Sequence, residues 1–530
     1  MKEKYNFLES AAAGDVILSM ENITKIYSNG FAANKDVTFK VRKGELHGLV
    51  GENGAGKTTL MKVLFGQETP EAGTISIAGN QVKIDSPLVA LDYGIGMVHQ
   101  HFMLVPSLTV AENMVLGIEP VKGSRFDKAT AVKLTKEVSE KYMLDVNPDA
   151  LVKDLSVGFK QRVEILKMLL RGARLLLLDE PTAVLTPQET KELFIQLKNL
   201  KDQGFSIVFI SHKLNEIKEI CDRITVLRSG KLIGTVDVND VSEADISRMM
   251  VGRDVVLDIV KTTAKPGDSV LRVRNLTYIN KFGTKSFDDL SFDLRSGEIF
   301  GVAGVEGNGQ SELSDAIAGL IKPSSGTIDI CGESTASRSI REIRELGVSL
   351  IHEDRMTYGA SKDQSISDNI IADRYYMKKY HKFGFMKHTV ISEGIKELIK
   401  DFTIKCDGEG ALVKTLSGGN IQKVVAAREF SSFPKLLIAS QPTRGIDVGA
   451  AELIRNKIVE LRDKHNTATL LFSADLAELL SVSDSIFVMF DGKIVAYFKD
   501  ASAVDEQLLG EYMLGLKKQS DDVIRGDICV

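Results

Sequence analysis

Residues 51–59 read GENGAGKTT, in which Gly51, Gly54 and Gly56 precede a lysine and two threonines. Glycines at this spacing let the backbone turn tightly enough for its N–H groups to converge on phosphate oxygens. The helix that must follow adds the positive end of its dipole. Lys57 reaches the β- and γ-phosphates of a nucleoside triphosphate, and Thr58 offers its hydroxyl to Mg2+. Glu52, Asn53, Ala55 and Thr59 complete the cradle.

Farther along, LLLLDEP at 175–181 sets Asp179 and Glu180 at the end of an apolar run, where ligands bind in open α/β sheets. Asp179 supports Mg2+ through water, and Glu180 polarises the attacking water as general base. Gln100 belongs between metal and water, so the expected Mg2+ set is Thr58, Gln100 and Asp179. His212, in FISHKL, is suited to hydrogen-bond the γ-phosphate, and Tyr27, in ITKIYSNG, to stack on adenine. A lone histidine is more often a core or surface residue; the place of His212 in the motif order argues for chemistry.

The same motifs recur with their chemistry removed. Gly51 and Gly304 lie 253 positions apart, as do Gln100 and Glu353, while Leu155 to Leu416 and Glu180 to Gln441 are each 261. The second half therefore carries about eight extra residues in between, and the register is that of a duplication. Gln310 replaces Lys57, Ser440 replaces Asp179, Gln441 replaces Glu180, Glu353 replaces Gln100, Ala474 replaces His212 and Asn280 replaces Tyr27. At an effective dielectric of about 20, losing one lysine–phosphate pair near 4 Å forfeits up to about 4 kcal/mol before solvent compensates. Ser311 remains to contact a nucleotide weakly.

These groups need strands to carry them. LHGLV at 46–50 predicts a buried strand running into the glycine loop and a helix from about Lys57. Apolar runs at 174–178 and 205–210 predict further strands of a parallel sheet. Ala131, Leu134, Val138 and Tyr142 follow helical spacing and predict an inserted helical subdomain. The expected division is a lead at 1–15, a domain at 16–253, a connector at 254–269 that reads as exposed, a domain at 270–515 and a loose polar tail at 516–530. A chain of 530 residues with 43% hydrophobic content supports two cores. A net charge of −5, with acids and bases interspersed, argues against a nucleic-acid surface. The four cysteines lack metal or disulfide spacing, and no apolar run reaches 18 residues.

LSVGFKQ at 155–161 and LSGGNIQ at 416–422 complete a pattern that, over residues 16–515, resembles a pair of nucleotide-binding domains of ATP-binding cassette proteins. The resemblance implies an α/β fold of two tandem P-loop NTPase domains. Each has a mainly parallel core sheet, an antiparallel β subdomain and an inserted helical subdomain. It also implies head-to-tail pairing, in which ATP on the first glycine loop is completed by Ser417, Gly418, Gly419 and Asp447. Val157, Phe159 and Thr186 are the degraded counterparts in the first half. TRGIDVGA at 443–450 is similar to the second domain of fused ATPases of monosaccharide-type importers. MVHQHFMLVPSLTVAEN at 97–113 and the Ser-Gln-Pro-Thr run most resemble ATPases of bacterial nucleoside importers with basic-membrane-protein-type lipoprotein receptors.

Membership of that group implies ATP and Mg2+ as cofactors, with two integral-membrane permease subunits and an extracytoplasmic lipoprotein as partners. It implies a peripheral place on the cytoplasmic face of the membrane and no nucleic acid, with residues 99–106 facing the permease. A monosaccharide importer is the alternative. Soluble twin-cassette ribosome factors are disfavoured, because they usually keep two intact sites and a long charged linker.

Overall fold

The computed structural model describes residue 8 and residues 11–27, 30–52, 54–100, 102–182, 185–211, 213–252, 261–305 and 307–529. Asn53, His101 and His212 lie outside the described residues, as does the connector up to residue 260. The chain divides into two compact units, Met1–Val255 and Val256–Val530.

In the first unit, Val16–Ile26 and Ala32–Arg42 pair antiparallel and continue through Ala72–Ile77 and Asn80–Val82 into a four-stranded sheet. A second sheet has the order Lys231–Asp237, Arg223–Arg228, Leu46–Val50, Ser206–Ile210, Leu175–Asp179, Ile95–Val98. It is parallel apart from the Lys231–Asp237 edge. Leu46–Val50, Leu175–Asp179 and Ser206–Ile210 are buried at every residue. Continuous apolar runs of this kind are what a parallel sheet covered on both faces requires.

The second unit repeats this plan. Its six strands run Val348–Ile351, Leu436–Ser440, Ala468–Phe472, Ile299–Ala303, Ser485–Phe490, Lys493–Phe498. Side chains alternate across the sheet. Leu437 and Ala439 join a core that includes Ile391 and Ile395 of the helical subdomain, while Leu436 and Ile438 join one built with Leu271 and Phe292 of the antiparallel sheet. The register repeats too: Asp179 pairs with Ile210 and Ser440 with Phe472.

The predicted helical insertion is present as Lys128–Tyr142, but its inner stripe is Ala131, Thr135, Ser139 and Tyr142. Leu134 and Val138 are half-buried beside it, Leu134 packing against Ala111, Val115 and Ala131, and the two hydroxyls are tolerated because each finds a backbone acceptor, Thr135 on the Ala131 carbonyl at 2.9 Å and Ser139 on that of Leu144 at 2.8 Å.

In both units an asparagine clamps the loop entering this subdomain. Val105 N–H donates to Asn113 Oδ1 at 2.7 Å, and Ser361 N–H donates to Asn369 Oδ1 at 2.7 Å. Five positions separate Gln100 from Val105, and eight separate Glu353 from Ser361. The three extra residues are taken up by a π-helical turn, Arg355–Gly359, capped by Asp354.

The described part of the connector is mostly exposed, as its composition leads one to expect, and is tethered at Thr262, whereas the loose tail is corrected. Arg462, 1% exposed at its side chain, donates to the Thr262 carbonyl at 2.7 Å as well as to Asp463 and Asp484. A buried guanidinium has five donors to satisfy, and the connector supplies one acceptor. After Leu516 the chain forms the helix Asp521–Ile528, whose Ile524 and Ile528 join the core beside Leu271 and Phe292. In the first unit, Leu8 of the lead is itself buried.

Candidate functional site

The fully buried strand Leu46–Val50 delivers the chain into the glycine loop, and the helix Lys57–Leu64 follows at once. Gly56 takes φ 99°, and a Cβ there would stand 2.3 Å from the Ala33 carbonyl oxygen. Only glycine fits that turn. Asn34 braces it by donating to the Gly56 carbonyl at 3.1 Å. Lys57, 6% exposed, donates from Nζ to the carbonyls of Gly51 at 2.6 Å and Glu52 at 3.0 Å, so its charge sits within the loop mouth.

At the end of the Leu175–Asp179 strand the structure brings together the residues singled out for hydrolysis. Asp179 is buried, with the side chain of the exposed Thr58 beside it. Burial, then the Glu180 charge beside it, pushes its carboxyl up to about 6, against the pull of Thr58 and Lys57. Glu180 adopts φ 49°, a left-handed conformation that turns the chain out of the strand, with its N–H on the Ile210 carbonyl at 3.0 Å. Gln100 Nε2 donates to Glu180 Oε2 at 3.0 Å. Behind them, buried Glu216 accepts from Thr182 at 2.6 Å and Ser211 at 3.0 Å, fixing the exits of two strands. Tyr27 places its hydroxyl 3.3 Å from Thr59 Oγ1, at the start of the glycine-loop helix.

Thr58, Asp179 and Gln100 offer a hydroxyl, a carboxylate and an amide oxygen. These are hard donors of the kind Mg2+ accepts, and few enough to suit an ion that keeps water and phosphate ligands. A cation beside Asp179 would offset the burial and the Glu180 charge that push its carboxyl up. Among the described residues no group of three or more His, Cys, Asp or Glu could hold a metal without such help.

The second unit keeps the backbone and changes the atoms. Gln310 Nε2 donates to the Val305 carbonyl at 3.3 Å, the bond Lys57 makes to Glu52, but it carries no charge. Ser440 bonds to Ser314 Oγ at 2.9 Å. Gln441 has the same φ of 49°, and its N–H reaches the Phe472 carbonyl at 2.8 Å. Its side chain turns to accept the Ala474 N–H at 3.1 Å. Glu478 repeats the brace, taking Thr443 at 2.8 Å and Ser473 at 2.6 Å.

The signature segments differ in the opposite sense. Ser417 caps the helix Gly418–Phe430, accepting from the Asn420 N–H at 3.4 Å and also from Asn420 Nδ2 at 2.9 Å, whereas Ser156 makes no side-chain cap on Val157–Leu170. Asp447 caps Val448–His465 through the Ala450 N–H at 2.7 Å, and its Oδ2 lies 3.2 Å from where a Gly419 Cβ would stand. Sequence reasoning missed Arg355. Its guanidinium donates to the carbonyls of Arg444 at 2.7 Å and Gly445 at 3.3 Å, and passes 2.9 Å from a Cβ built on Gly418. The one sequence signal was the three-residue excess after Glu353.

A model of the ABC transporter family matches residues 34–183 and again 287–444. The chain is 45% identical over 503 residues to the nucleoside import ATP-binding protein NupA of Lactococcus lactis subsp. cremoris, covering 95% of this chain and 99% of that one. It is 46% identical to the guanosine import ATP-binding protein NupO of Bacillus subtilis, covering 94% and 98%. Against the glucose import ATP-binding protein TsgD13 of Haloferax volcanii the identity is 41%, covering 94% and 96%. The fold of the solved archaeal ribosome recycling factor aABCE1 is similar across 96% of this chain and 99% of that one, with TM-score 0.61 at 18% identity. Matches of this extent settle the membership: the chain belongs to the ATP-binding cassette transporter family, as an ATPase that carries two cassettes in one polypeptide.

Proposed function

We propose that this chain powers a nucleoside importer, hydrolysing ATP at a single position built on the glycine loop of the first unit. The observation that carries the reading is the Gln100–Glu180 hydrogen bond beside buried Asp179, set against the uncharged Gln310, Ser440 and Gln441 of the second unit. Lys57 and the loop N–H groups bind the phosphates. Glu180 directs water onto the γ-phosphate and takes its proton, with Gln100 holding the carboxylate in line. His212 adds a hydrogen bond to the γ-phosphate, and Tyr27 stacks on adenine. Thr58, Asp179 and Gln100 would hold Mg2+, which neutralises phosphate charge when bound. Ser417, Gly418 and Gly419, on a helix N-terminus, and Asp447 complete the same nucleotide.

Closure on ATP drives two separate permease subunits, fed by an extracytoplasmic lipoprotein, with the ATPase peripheral on the cytoplasmic face. No described helix is long and apolar enough to cross a membrane. Met103, 60% exposed on the loop after Gln100, gives that loop an apolar contact for a permease. The division into a lead at 1–15, domains at 16–253 and 270–515, a connector and a tail is part of this reading.

Nucleoside is favoured as cargo because NupA and NupO are 45% and 46% identical to the chain. A monosaccharide is the second reading, favoured by the 41% identity to TsgD13. Cells lacking the gene should lose uptake of radiolabelled guanosine and regain it with the wild-type gene, not with Glu180→Gln. Unchanged guanosine uptake alongside lost ribose or glucose uptake would replace the first reading with the second.

A further inference from the structure

In the first unit the N-terminus of the signature helix Val157–Leu170 is already covered by a carboxylate. Gly158 N–H donates to Glu189 Oε1 at 3.3 Å, and a Cβ on Gly158 would meet that oxygen at 2.7 Å. The other oxygen, Oε2, accepts the N–H of Thr186 at 3.0 Å and its hydroxyl at 3.2 Å. These contacts are half of the capping box that starts the helix Pro187–Asp202, so the carboxylate is pinned from two sides. One turn on, Glu192 pairs with Arg162 of the signature helix, beside a cavity of about 410 Å³ lined by Ser156, Phe159 and Gln161.

The second unit lacks both acids. Position 450, in the register of Glu189, is Ala450, and the register of Glu192 holds Leu453. Asp447 does approach Gly419, but it gives its Oδ1 to the Ala450 N–H at 2.7 Å, and the signature helix is capped by its own Ser417.

We infer that Glu189 is a built-in anion that fills the phosphate-facing end of the first signature helix and so withholds it from nucleotide. A helix N-terminus offers its free N–H groups and dipole charge to one anion. A carboxylate already there takes the N–H that a γ-phosphate would need and repels the phosphate besides. The idea rests on the proposed nucleotide role of the signature helices. It adds that the weaker nucleotide position is disabled from the signature side, independently of the missing lysine at Gln310.

The test uses the full chain carrying Glu180→Gln, to stop hydrolysis, and Gln310→Lys, to restore the second glycine loop. Binding of radiolabelled ATP with Mg2+ is measured by equilibrium dialysis, with and without Glu189→Gln. Glutamine serves in a capping box as glutamate does, so the melting temperature should hold while the second ATP binds about tenfold more tightly. Glu189→Ala should tighten it similarly but lower the melting temperature. The inference is overturned if the second ATP binds equally well before and after Glu189→Gln is added, or if no second ATP is detected in either case. Absence of even the first ATP in every variant would instead defeat the proposed function.

Discussion

Glu180 and Gln441 occupy the same bend in two copies of one strand exit, with φ 49° in each and an N–H on the neighbouring strand. One holds a carboxylate against Gln100; the other gives its amide oxygen to the Ala474 N–H. The scaffold that aims a side chain and the side chain that does chemistry are thus separable. Duplication preserved the first at both positions, while charge was kept at one.

The sharpest way to break this contrast is at the bend. Glu180→Gln should lower ATP turnover by about 100-fold or more, since it removes the general base. Gln441→Ala should leave most turnover intact, and comparable losses in a phosphate-release assay would dissolve the asymmetry.

Asp179 supplies the next test. Its carboxyl is raised from 3.8 to about 6 in the folded protein, so folding favours its protonated form. The associated stability is fully present below about pH 4 and is lost as pH rises through about 6, which leaves ionised Asp179 costing about 3 kcal/mol at neutral pH. Asp179→Asn should therefore raise the melting temperature of nucleotide-free protein at pH 7.5 and much less at pH 4.5, while abolishing turnover. Ser440→Ala should show no such pH dependence. A melting gain for Asp179→Asn that is the same at both pH values would remove the electrostatic account.

Where scaffold rather than chemistry is at stake, the halves should respond alike. Asn113→Ala and Asn369→Ala each strip hydrogen bonds from a buried loop clamp and should destabilise by about 2 kcal/mol in urea melts. A cost confined to one of them would show that the clamps are not equivalent. The smallest effect should come from the signature caps. Ser417→Ala should reduce turnover about fivefold, or about 1 kcal/mol, the order of one hydrogen bond, and Ser156→Ala by less than about twofold. Equal losses would contradict the assignment of Ser417 to the working nucleotide.

What could be read from sequence is what phosphate geometry dictates locally. Gly56, Lys57 and Thr58 must be consecutive for a loop to close on an anion, and Asp179 and Glu180 must follow an apolar strand to emerge beside it. The duplication then made the losses at Gln310, Ser440 and Gln441 visible. Contacts made by folding were not visible. Glu189 reads in sequence as an ordinary helix-starting Thr-x-x-Glu, and only the packing of two helices reveals its second contact to Gly158. Arg355 sits in a turn that owes its shape to an insertion, and its acceptors lie about ninety positions away. Polar composition suggested a loose tail after Leu516; two isoleucines one helical turn apart, Ile524 and Ile528, were enough to seat it.

The bend at Gln441 is part of a wider inheritance of backbone strain. A non-glycine residue held at positive φ costs about 1 kcal/mol or more, yet the duplication repeats it at Asn22 and Asn275 and at Asp36 and Asp289 as well as at Glu180 and Gln441. The strain therefore belongs to the shape of the cassette and is borne whether or not the residue on the bend carries a charge. Glutamine, matched to glutamate in length, occupies that shape without the carboxylate.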